Sequence, residues 1–233
     1  MVCVWAFSNY FPLYPFDIMI TDLILVRHGE TSYNRDHIIQ GWLDIPLNEN
    51  GICQAERTAE ILRDESIDEI WHSDLQRAAD TAHAIRKYHP DVPLYPYPQV
   101  REWKLGILQD RSYPELERDF PEYVRMLQNE SVELSIPGGE SRKEFQERVN
   151  QAFQELAERS PGKSLLVVTH GGVLVRFYRF LGGEVPASGK ITGPGNASVT
   201  RARYDHETKE WTMLAWNQIY SPQAENYKAP PAL

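Results

Sequence analysis

The fold is decided by residues 23–34, which read LILVRHGETSYN. The first four of these residues are aliphatic, and the run ends in a polar turn that contains Gly29. A short aliphatic run of this kind is typical of a strand buried on both faces of a parallel sheet. Comparable runs occur at Ile67–Trp71 and Leu165–Thr169, and the latter also leads into a histidine and two glycines. We therefore predict three buried parallel strands that end in polar residues.

Helical patterns separate these predicted strands. Asn48 and Asp74 are each predicted to cap a helix, because a short polar side chain can accept hydrogen bonds from the N–H groups of a first turn. The predicted apolar stripes are Ile52, Ala55, Ala59 and Leu62 in the first helix, and Leu75, Ala78, Ala82 and Ile85 in the second. Strands that alternate with helices favour a layered α/β fold.

The second half of the chain adds a predicted lid, another helix and a hairpin. Residues 113–129 contain helix-forming pieces interrupted by Pro121, and we predict a lid at about residues 107–137. A helical stripe follows at Phe145, Val149, Phe153 and Leu156. Residues 198–205 and 210–217 alternate between apolar and polar side chains, which predicts an edge hairpin. The domain is accordingly predicted at residues 22–220, between an N-terminal extension at 1–21 and a tail at 221–233.

The composition is that of a globular protein, with 42% hydrophobic and 24% charged residues and a formal net charge of −9. This acidic balance disfavours nucleic acid and membrane partners, because both require a basic surface. The apolar residues 1–18 contain Pro12, Pro15 and Asp17 but no Lys or Arg, unlike a secretory signal. With only two cysteines, Cys3 and Cys53, we expect a cytoplasmic protein in which Cys53 is a small buried residue.

Histidines follow two of the predicted strands: His28 in LVRHGETSYN and His170 in VVTHGGVLV. Ligands of open α/β sheets bind at the carboxyl ends of the strands. The first segment resembles the phosphohistidine signature of the histidine phosphatase superfamily, in its phosphoglycerate mutase-like branch. Further segments similar to that family follow in the same order: SDLQRAADTA, REWKLG, PGGES and VVTHGGVLV. The resemblance implies a phosphoglycerate mutase-like fold, a three-layer α/β/α sandwich with a mostly parallel sheet.

The same resemblance implies catalytic roles for individual residues. His28 would be the nucleophile, and Glu102 would donate a proton to the leaving oxygen. Arg27, Arg77 and His170 would hold the phosphoryl oxygens. These residue types suit the chemistry, because neutral imidazole is a competent nucleophile and the guanidinium fork matches non-bridging oxygens. Neither a metal ion nor another cofactor is then required.

The resemblance also implies a phosphate or substrate pocket lined by Asn34, Gln40, Gly41 and Gly171. Glu30, Glu115 and Glu117 are alternatives to Glu102 as the acid. A zinc site formed by His28, His72 and His170 is not supported by their spacing. We predict structural or surface roles for the remaining histidines: His37, His72, His83, His89 and His206.

The function predicted from these residues is metal-independent hydrolysis of small-molecule phosphate monoesters through a phosphohistidine intermediate on His28. Its partner would be a small phosphorylated metabolite, and a homodimer is allowed. The alternatives are a cofactor-dependent phosphoglycerate mutase and a non-catalytic phosphate-binding module of the same fold. Mutases of the family read ERHYG where this chain has EWKLG at 102–106, and they carry asparagine where Gly172 stands. Both departures favour hydrolysis, without naming the leaving group.

Overall fold

The computed structural model describes residues 19–129, 133–183 and 193–220. Its strands are β1 (Ile20–Arg27), β2 (Glu69–His72), β3 (Leu94–Pro96), β4 (Ser164–Thr169), β5 (Val199–Asp205) and β6 (Glu210–Gln218). They form one six-stranded sheet in the order β3-β2-β4-β1-β5-β6. Strands β1 to β4 run parallel, whereas β5 and β6 are antiparallel to their neighbours. The predicted mostly parallel sheet is confirmed.

Helices cover both faces of this sheet. They are α1 (Ser32–Arg35), α2 (Glu49–Ile61), α3 (Gln76–Arg86), α4 (Tyr113–Asp119), α5 (Pro121–Gln128), α6 (Arg142–Glu158) and α7 (Gly171–Phe180), with short 3₁₀ turns at Pro98–Val100 and Gly106–Leu108. Leu25 of β1 shares a buried cluster with Phe153 of α6, whereas the next residue, Val26, shares one with Ala59 of α2. The alternation of strand side chains between two cores gives the predicted three-layer sandwich.

The two predicted helix caps have different outcomes. Asn48 caps α2, and its Oδ1 accepts a hydrogen bond from the N–H of Gly51 at 2.8 Å. Asp74 does not cap α3, because the N-cap position is Leu75 and other side chains bind the N–H groups there: Leu75 N–H donates to Ser73 Oγ at 3.3 Å, and Gln76 N–H donates to Asp44 Oδ1 at 2.7 Å. Asp74 instead pairs with the guanidinium of Arg101, whose Nε donates to Oδ1 at 2.6 Å. This ion pair replaces the predicted cap, while the predicted stripe of α3 is buried throughout.

Helix α2 departs from the prediction at its first turn. Ile52 is 49% exposed, although the other three residues of the predicted stripe are buried. In that turn, Gly51 is the residue that faces the interior. It lies so close to Glu30 that an added Cβ would be 2.0 Å from the Glu30 carbonyl oxygen. The next two positions around the helix therefore turn toward solvent. Cys53 is one of them, and the prediction that it is buried is wrong.

The predicted lid contains two short helices, α4 and α5. Each has a proline in its first turn, where the missing N–H costs no intrahelical hydrogen bond, and the break predicted at Pro121 is confirmed. Leu116 and Leu127 anchor the two helices in the core. Residues 130–132 of the predicted lid lie outside the described residues.

The outer parts of the domain follow the predictions in part. The hairpin is formed by β5 and β6, and β6 is an edge strand as predicted. Strand β1 begins at Ile20, so the last two residues of the predicted N-terminal extension belong to the sheet. Residues 1–18 and the predicted tail at 221–233 lie outside the described residues. Within the described ranges, the helices are too short or too polar to cross a membrane.

Candidate active site

Three neighbouring parallel strands end at the candidate active site. The first residue after β1 is His28, the first after β4 is His170, and the first after β2 is Ser73. The sheet hydrogen bonding continues past the strand ends, since His28 N–H donates to Thr169 at 3.0 Å and Ser73 N–H donates to Val168 at 3.0 Å. The rings of His28 and His170 therefore meet, with centroids 5.1 Å apart.

His28 is held in the form that a nucleophile requires. Its Nδ1 lies 2.7 Å from the carbonyl oxygen of Gly29. Because a carbonyl can only accept, Nδ1 carries the proton and Nε2 keeps its lone pair. Burial and the nearby charges of Arg77 and Arg27 lower the pKa of His28 well below its usual value. The ring is therefore neutral at physiological pH, and Nε2 is available for attack.

Two buried arginines flank His28. Arg77 is 1% exposed, and its two terminal nitrogens donate to the carbonyl oxygens of Gly41 and Leu43, each at 2.8 Å. Burial lowers the pKa of Arg77 to about 10, which leaves it charged at neutral pH. Arg27 Nη1 donates to Pro194 at 2.5 Å. The Nε atoms of both arginines are buried without a hydrogen-bond partner in the described part of the chain. These unpaired donors suit an anionic ligand.

Glu102 faces the same cleft with its carboxyl group oriented. Oε1 accepts from the N–H of Trp103 at 2.8 Å, and Oε2 accepts from the N–H of Gly172, in the first turn of α7, at 3.0 Å. An added Cβ at Gly172 would lie 2.2 Å from Oε1, so glycine is required for this contact. Of the described residues that line the cleft, Glu102 is the only carboxylate.

The backbone that carries Glu102 is fixed by residues that the sequence analysis did not identify. Arg148 of α6 pairs with Glu140 through two hydrogen bonds of 2.6 and 2.8 Å. Its guanidinium also donates to the carbonyl oxygens of Gln99, Arg101 and Glu102, at 2.8, 2.9 and 3.1 Å. One side chain thus holds the loop at three points. A helix-surface arginine with an acidic neighbour gives no sequence signal for such a role.

The four predicted pocket residues, Asn34, Gln40, Gly41 and Gly171, all line the cleft. The Nδ2 group of Asn196 donates two hydrogen bonds, one to Oδ1 of Asn34 at 3.2 Å and one to the carbonyl oxygen of His28 at 3.1 Å. His170 is fully buried behind the cleft rather than on its wall. The structure therefore brings the predicted residues into one cluster, in which His170 forms the inner layer.

The alternative acids do not belong to this cluster, and neither does His72, the third histidine of the alternative metal site. Glu30 accepts from the side chain of Asn48, and Glu115 from its helix cap Ser112, whereas Glu117 is absent from the cleft wall. His72 Nδ1 bonds to the carbonyl oxygen of Ser73. Among the residues that the structure describes, there is no group of three or more His, Cys, Asp or Glu that could hold a metal ion.

The cleft extends outward from His28 and has a volume of about 160 Å³. Arg27, Arg77 and Glu102 line it together with His28. Apolar and aromatic side chains line it as well, among them Tyr33, Ile38, Leu105, Tyr113 and Val175, and so do the polar residues His37 and Arg176. The cleft can therefore contact both an anionic group and an organic group of a ligand.

Comparisons with known proteins agree with this geometry. The model of the histidine phosphatase superfamily (branch 1) matches residues 23–219. The chain is 33% identical to phosphoglycerate mutase-like protein 4 of Arabidopsis thaliana over 205 residues, covering 87% of each chain. It is 34% identical to a metal-independent phosphoserine phosphatase of the same plant over 204 residues, covering 86% of this chain and 82% of that protein.

A solved structure gives the same result at the level of the fold. The mycobacterial glucosyl-3-phosphoglycerate phosphatase, in its complex with VO3, superimposes with a TM-score of 0.74 at 29% sequence identity. The match covers 84% of this chain and 98% of that one. The family match spans nearly all of the described sheet, including the ends of β1 and β4 that carry the two histidines. The chain therefore belongs to branch 1 of the histidine phosphatase superfamily.

Proposed function

We propose that this protein is a phosphoric monoester hydrolase that transfers the phosphoryl group of a small metabolite to His28 and then to water. The observation that carries the proposal is the state of His28: it is neutral, its Nδ1–H is bound to Gly29, and it lines the cleft together with Arg27 and Arg77, whose Nε–H groups have no partner among the described residues. Phosphoryl transfer needs mainly such positioning and charge stabilisation, and no metal ion takes part in the proposed steps.

In the first step, the Nε2 lone pair of His28 attacks phosphorus. An N–P bond forms while the ester P–O bond breaks, and the leaving oxygen takes a proton from the carboxyl group of Glu102. Arg27 and Arg77 bind the non-bridging oxygens, whose charge their planar guanidinium groups match. The products of this step are the free alcohol and phosphohistidine.

In the second step, water attacks the phosphohistidine. Glu102, now a carboxylate, takes a proton from the water as its oxygen bonds to phosphorus. The N–P bond breaks, and its electron pair returns to Nε2 of His28. Inorganic phosphate leaves, and both side chains regain their starting protonation states. One carboxyl group thus serves as acid and then as base.

Two contacts favour hydrolysis over the mutase reaction. Glu102 occupies the space next to Gly172, where the family's mutases carry an asparagine side chain. Trp103, at the second position of the mutase ERHYG segment, is buried and stacks on Phe145, with ring centroids 5.2 Å apart. Neither position supplies a polar group for a second phosphate or a carboxylate of the substrate.

The apolar and aromatic side chains that line the cleft support a small phosphorylated metabolite with a partly apolar leaving group. A cytoplasmic location agrees with the chain's low cysteine count. The homodimer stays a prediction that gel filtration with light scattering would test. If the native protein binds phosphorylated ligands but hydrolyses none of them, it is a non-catalytic phosphate-binding module.

The test is release of inorganic phosphate from a panel of monoesters with EDTA present. Native protein is compared with His28→Ala and with His83→Ala, a matched control in an exposed histidine of α3. We expect hydrolysis that survives chelation, is lost in His28→Ala and persists in His83→Ala. Interconversion of phosphoglycerates without phosphate release, measured in parallel with a bisphosphoglycerate primer, would contradict the proposal, as would unchanged hydrolysis by His28→Ala.

A further inference from the structure

Ser73 bonds to the inner nitrogen of His170. Its Oγ lies 2.8 Å from Nε2 of His170, and it also accepts from the N–H of Leu75 at 3.3 Å. Ser73 and His170 are both fully buried. Within the described residues, these two contacts are the hydrogen bonds of the Ser73 hydroxyl. Ser73 is fixed in place, because its own N–H continues the hydrogen bonding between β2 and β4.

The direction of the bond between Ser73 and His170 follows from a count of donors. A serine hydroxyl has one proton and needs one acceptor for it. Leu75 offers only a donor, so the acceptor within reach is Nε2 of His170. The reverse bond, from Nε2–H to Oγ, would leave two buried groups unpaired, the hydroxyl proton of Ser73 and the lone pair of His170 Nδ1, whereas donation by Ser73 leaves only the Nδ1–H group unpaired. Ser73 therefore donates, and Nε2 of His170 carries no proton.

The single proton of His170 is then on its other nitrogen. Burial and the charge of Arg77 lower the pKa of His170 well below its usual value, so the ring is neutral and has one N–H group. Nδ1 is buried and has no hydrogen-bond partner in the described part of the chain. It belongs to a ring whose centroid lies 5.1 Å from that of His28. An oxygen on a phosphoryl group at His28 would satisfy this donor.

We propose that Ser73 is a positioning residue that fixes His170 as the Nδ1–H tautomer, so that His170 donates a hydrogen bond to the phosphoryl group carried by His28. The two histidines then share one tautomer and use it in opposite ways. His28 gives its Nδ1–H to Gly29 and keeps Nε2 for attack, whereas His170 gives its Nε2 to Ser73 and keeps Nδ1–H for the substrate. The nature of the bound oxygen rests on the proposed function, but the tautomer does not.

The tautomer is measured directly by nitrogen NMR of the native protein labelled with ¹⁵N-histidine, with His170→Gln used to assign the signals. We expect a protonated Nδ1 and an unprotonated Nε2 for His170 near neutral pH. In Ser73→Ala, the Nε2 signal should shift as its hydrogen bond is lost, and the Nε2–H form should become populated. A native His170 that is protonated at Nε2 would overturn the inference. The tautomer of the native protein can be measured even if the protein is inactive and even if Ser73→Ala does not fold.

The kinetic test is a double-mutant cycle. Ser73→Ala should weaken the hydrogen bond from His170 to the charged phosphoryl group. We expect kcat/KM to fall by about 10-fold to 100-fold, the range for one hydrogen bond to a charged group, and vanadate binding to weaken to a similar extent. The same substitution in a His170→Ala background should have little further effect, because Ser73 acts through His170. Ser160→Ala, which truncates a buried serine in the turn after α6, should leave both quantities unchanged.

The outcomes separate this inference from the proposed function. An equal loss from Ser73→Ala with and without His170 would overturn the positioning role, even if hydrolysis itself were normal. Native protein that shows the Nδ1–H tautomer but no hydrolysis and no vanadate binding would instead overturn the proposed function. It would also overturn the proposed acceptor of the His170 hydrogen bond.

Discussion

At the residue scale, the close contact between Glu102 and Gly172 predicts that a side chain at position 172 would impair catalysis. An added Cβ at Gly172 would lie 2.2 Å from Oε1 of Glu102, the mobile end of a side chain. Gly172→Ala should therefore displace the carboxyl group while the fold survives. We expect kcat to fall at least about 100-fold, the lower end of what a general acid or base contributes.

The control for this prediction is the double variant. Gly172→Ala added to Glu102→Gln should cost little further activity, since the displaced group has already lost its proton chemistry. A large additional loss, or a Gly172→Ala protein with native kcat, would show that the contact has no catalytic role. Steady-state assays on the four proteins decide between these outcomes.

The two buried histidines also predict how stability depends on pH. Burial, followed by nearby arginine charge, lowers the pKa of both His28 and His170 in the folded state. Below pH of about 6.5, the unfolded chain therefore binds more protons than the folded one, and stability falls as pH decreases. Each histidine contributes a slope of up to about 1.4 kcal/mol per pH unit over this range.

Urea denaturation at pH 7.5, 6.5 and 5.5 measures this slope. The double variant His28→Gln and His170→Gln should lose most of it between pH 6.5 and 5.5. A variant with the same slope as native protein would show that the two rings are charged in the folded state, or that other groups dominate.

At the element scale, Arg148 connects α6 to the loop that carries Glu102. Its five hydrogen bonds include three to carbonyl oxygens of that loop and two to Glu140. Lysine keeps the charge but cannot reproduce the planar fork. Arg148→Lys should lower kcat by about 10-fold or more, because a small displacement of a catalytic group is costly, with a smaller effect on KM.

The matched control is Arg203→Lys. Arg203 also forms a bidentate pair, with Asp22, but this pair is half-exposed and lies at the start of β1, away from the cleft. Its replacement should leave kcat unchanged. Equal effects of the two substitutions on kcat would contradict the positioning role of Arg148.

The elements themselves could largely be predicted from the sequence, and the contacts between them could not. The strand ends at His28 and His170 follow from local apolar runs and their turns. The exposure of Ile52 depends instead on Gly51 lying against Glu30, a contact between separate elements. Asp74 has the residue type of a helix cap, but Arg101, from a distant loop, pairs with it. Long-range partners of this kind leave no periodic pattern in the sequence.

At the scale of the whole molecule, two hydrophobic cores pack the helices against the two faces of the sheet. Phe153 of α6 is fully buried, and its ring centroid lies 4.2 Å from that of Phe177 of α7. Phe153→Ala should lower the free energy of unfolding by about 3–5 kcal/mol, the usual cost of such a cavity. Leu214→Ala, at a side chain that is 50% exposed, is the control and should have a small effect.

Urea titration followed by tryptophan fluorescence measures both changes. Comparable losses in the two variants would contradict the assignment of the core to the α6 and α7 face of the sheet.

The alternation that places Leu25 and Val26 in different cores was predictable from strand geometry. The placement of Arg148 and Ser73 was not, because each acts on a residue far away in the chain.

The proposed mechanism depends on a phosphoryl group carried by His28, and this intermediate can be captured directly. Native protein is mixed with a ³²P-labelled monoester found in the substrate panel, quenched in alkali within one turnover, digested and mapped by mass spectrometry. We expect one phosphate on Nε2 of His28, formed before phosphate release and missing in His28→Ala. Hydrolysis at the native rate with no label on His28, or with label on another residue, would contradict it.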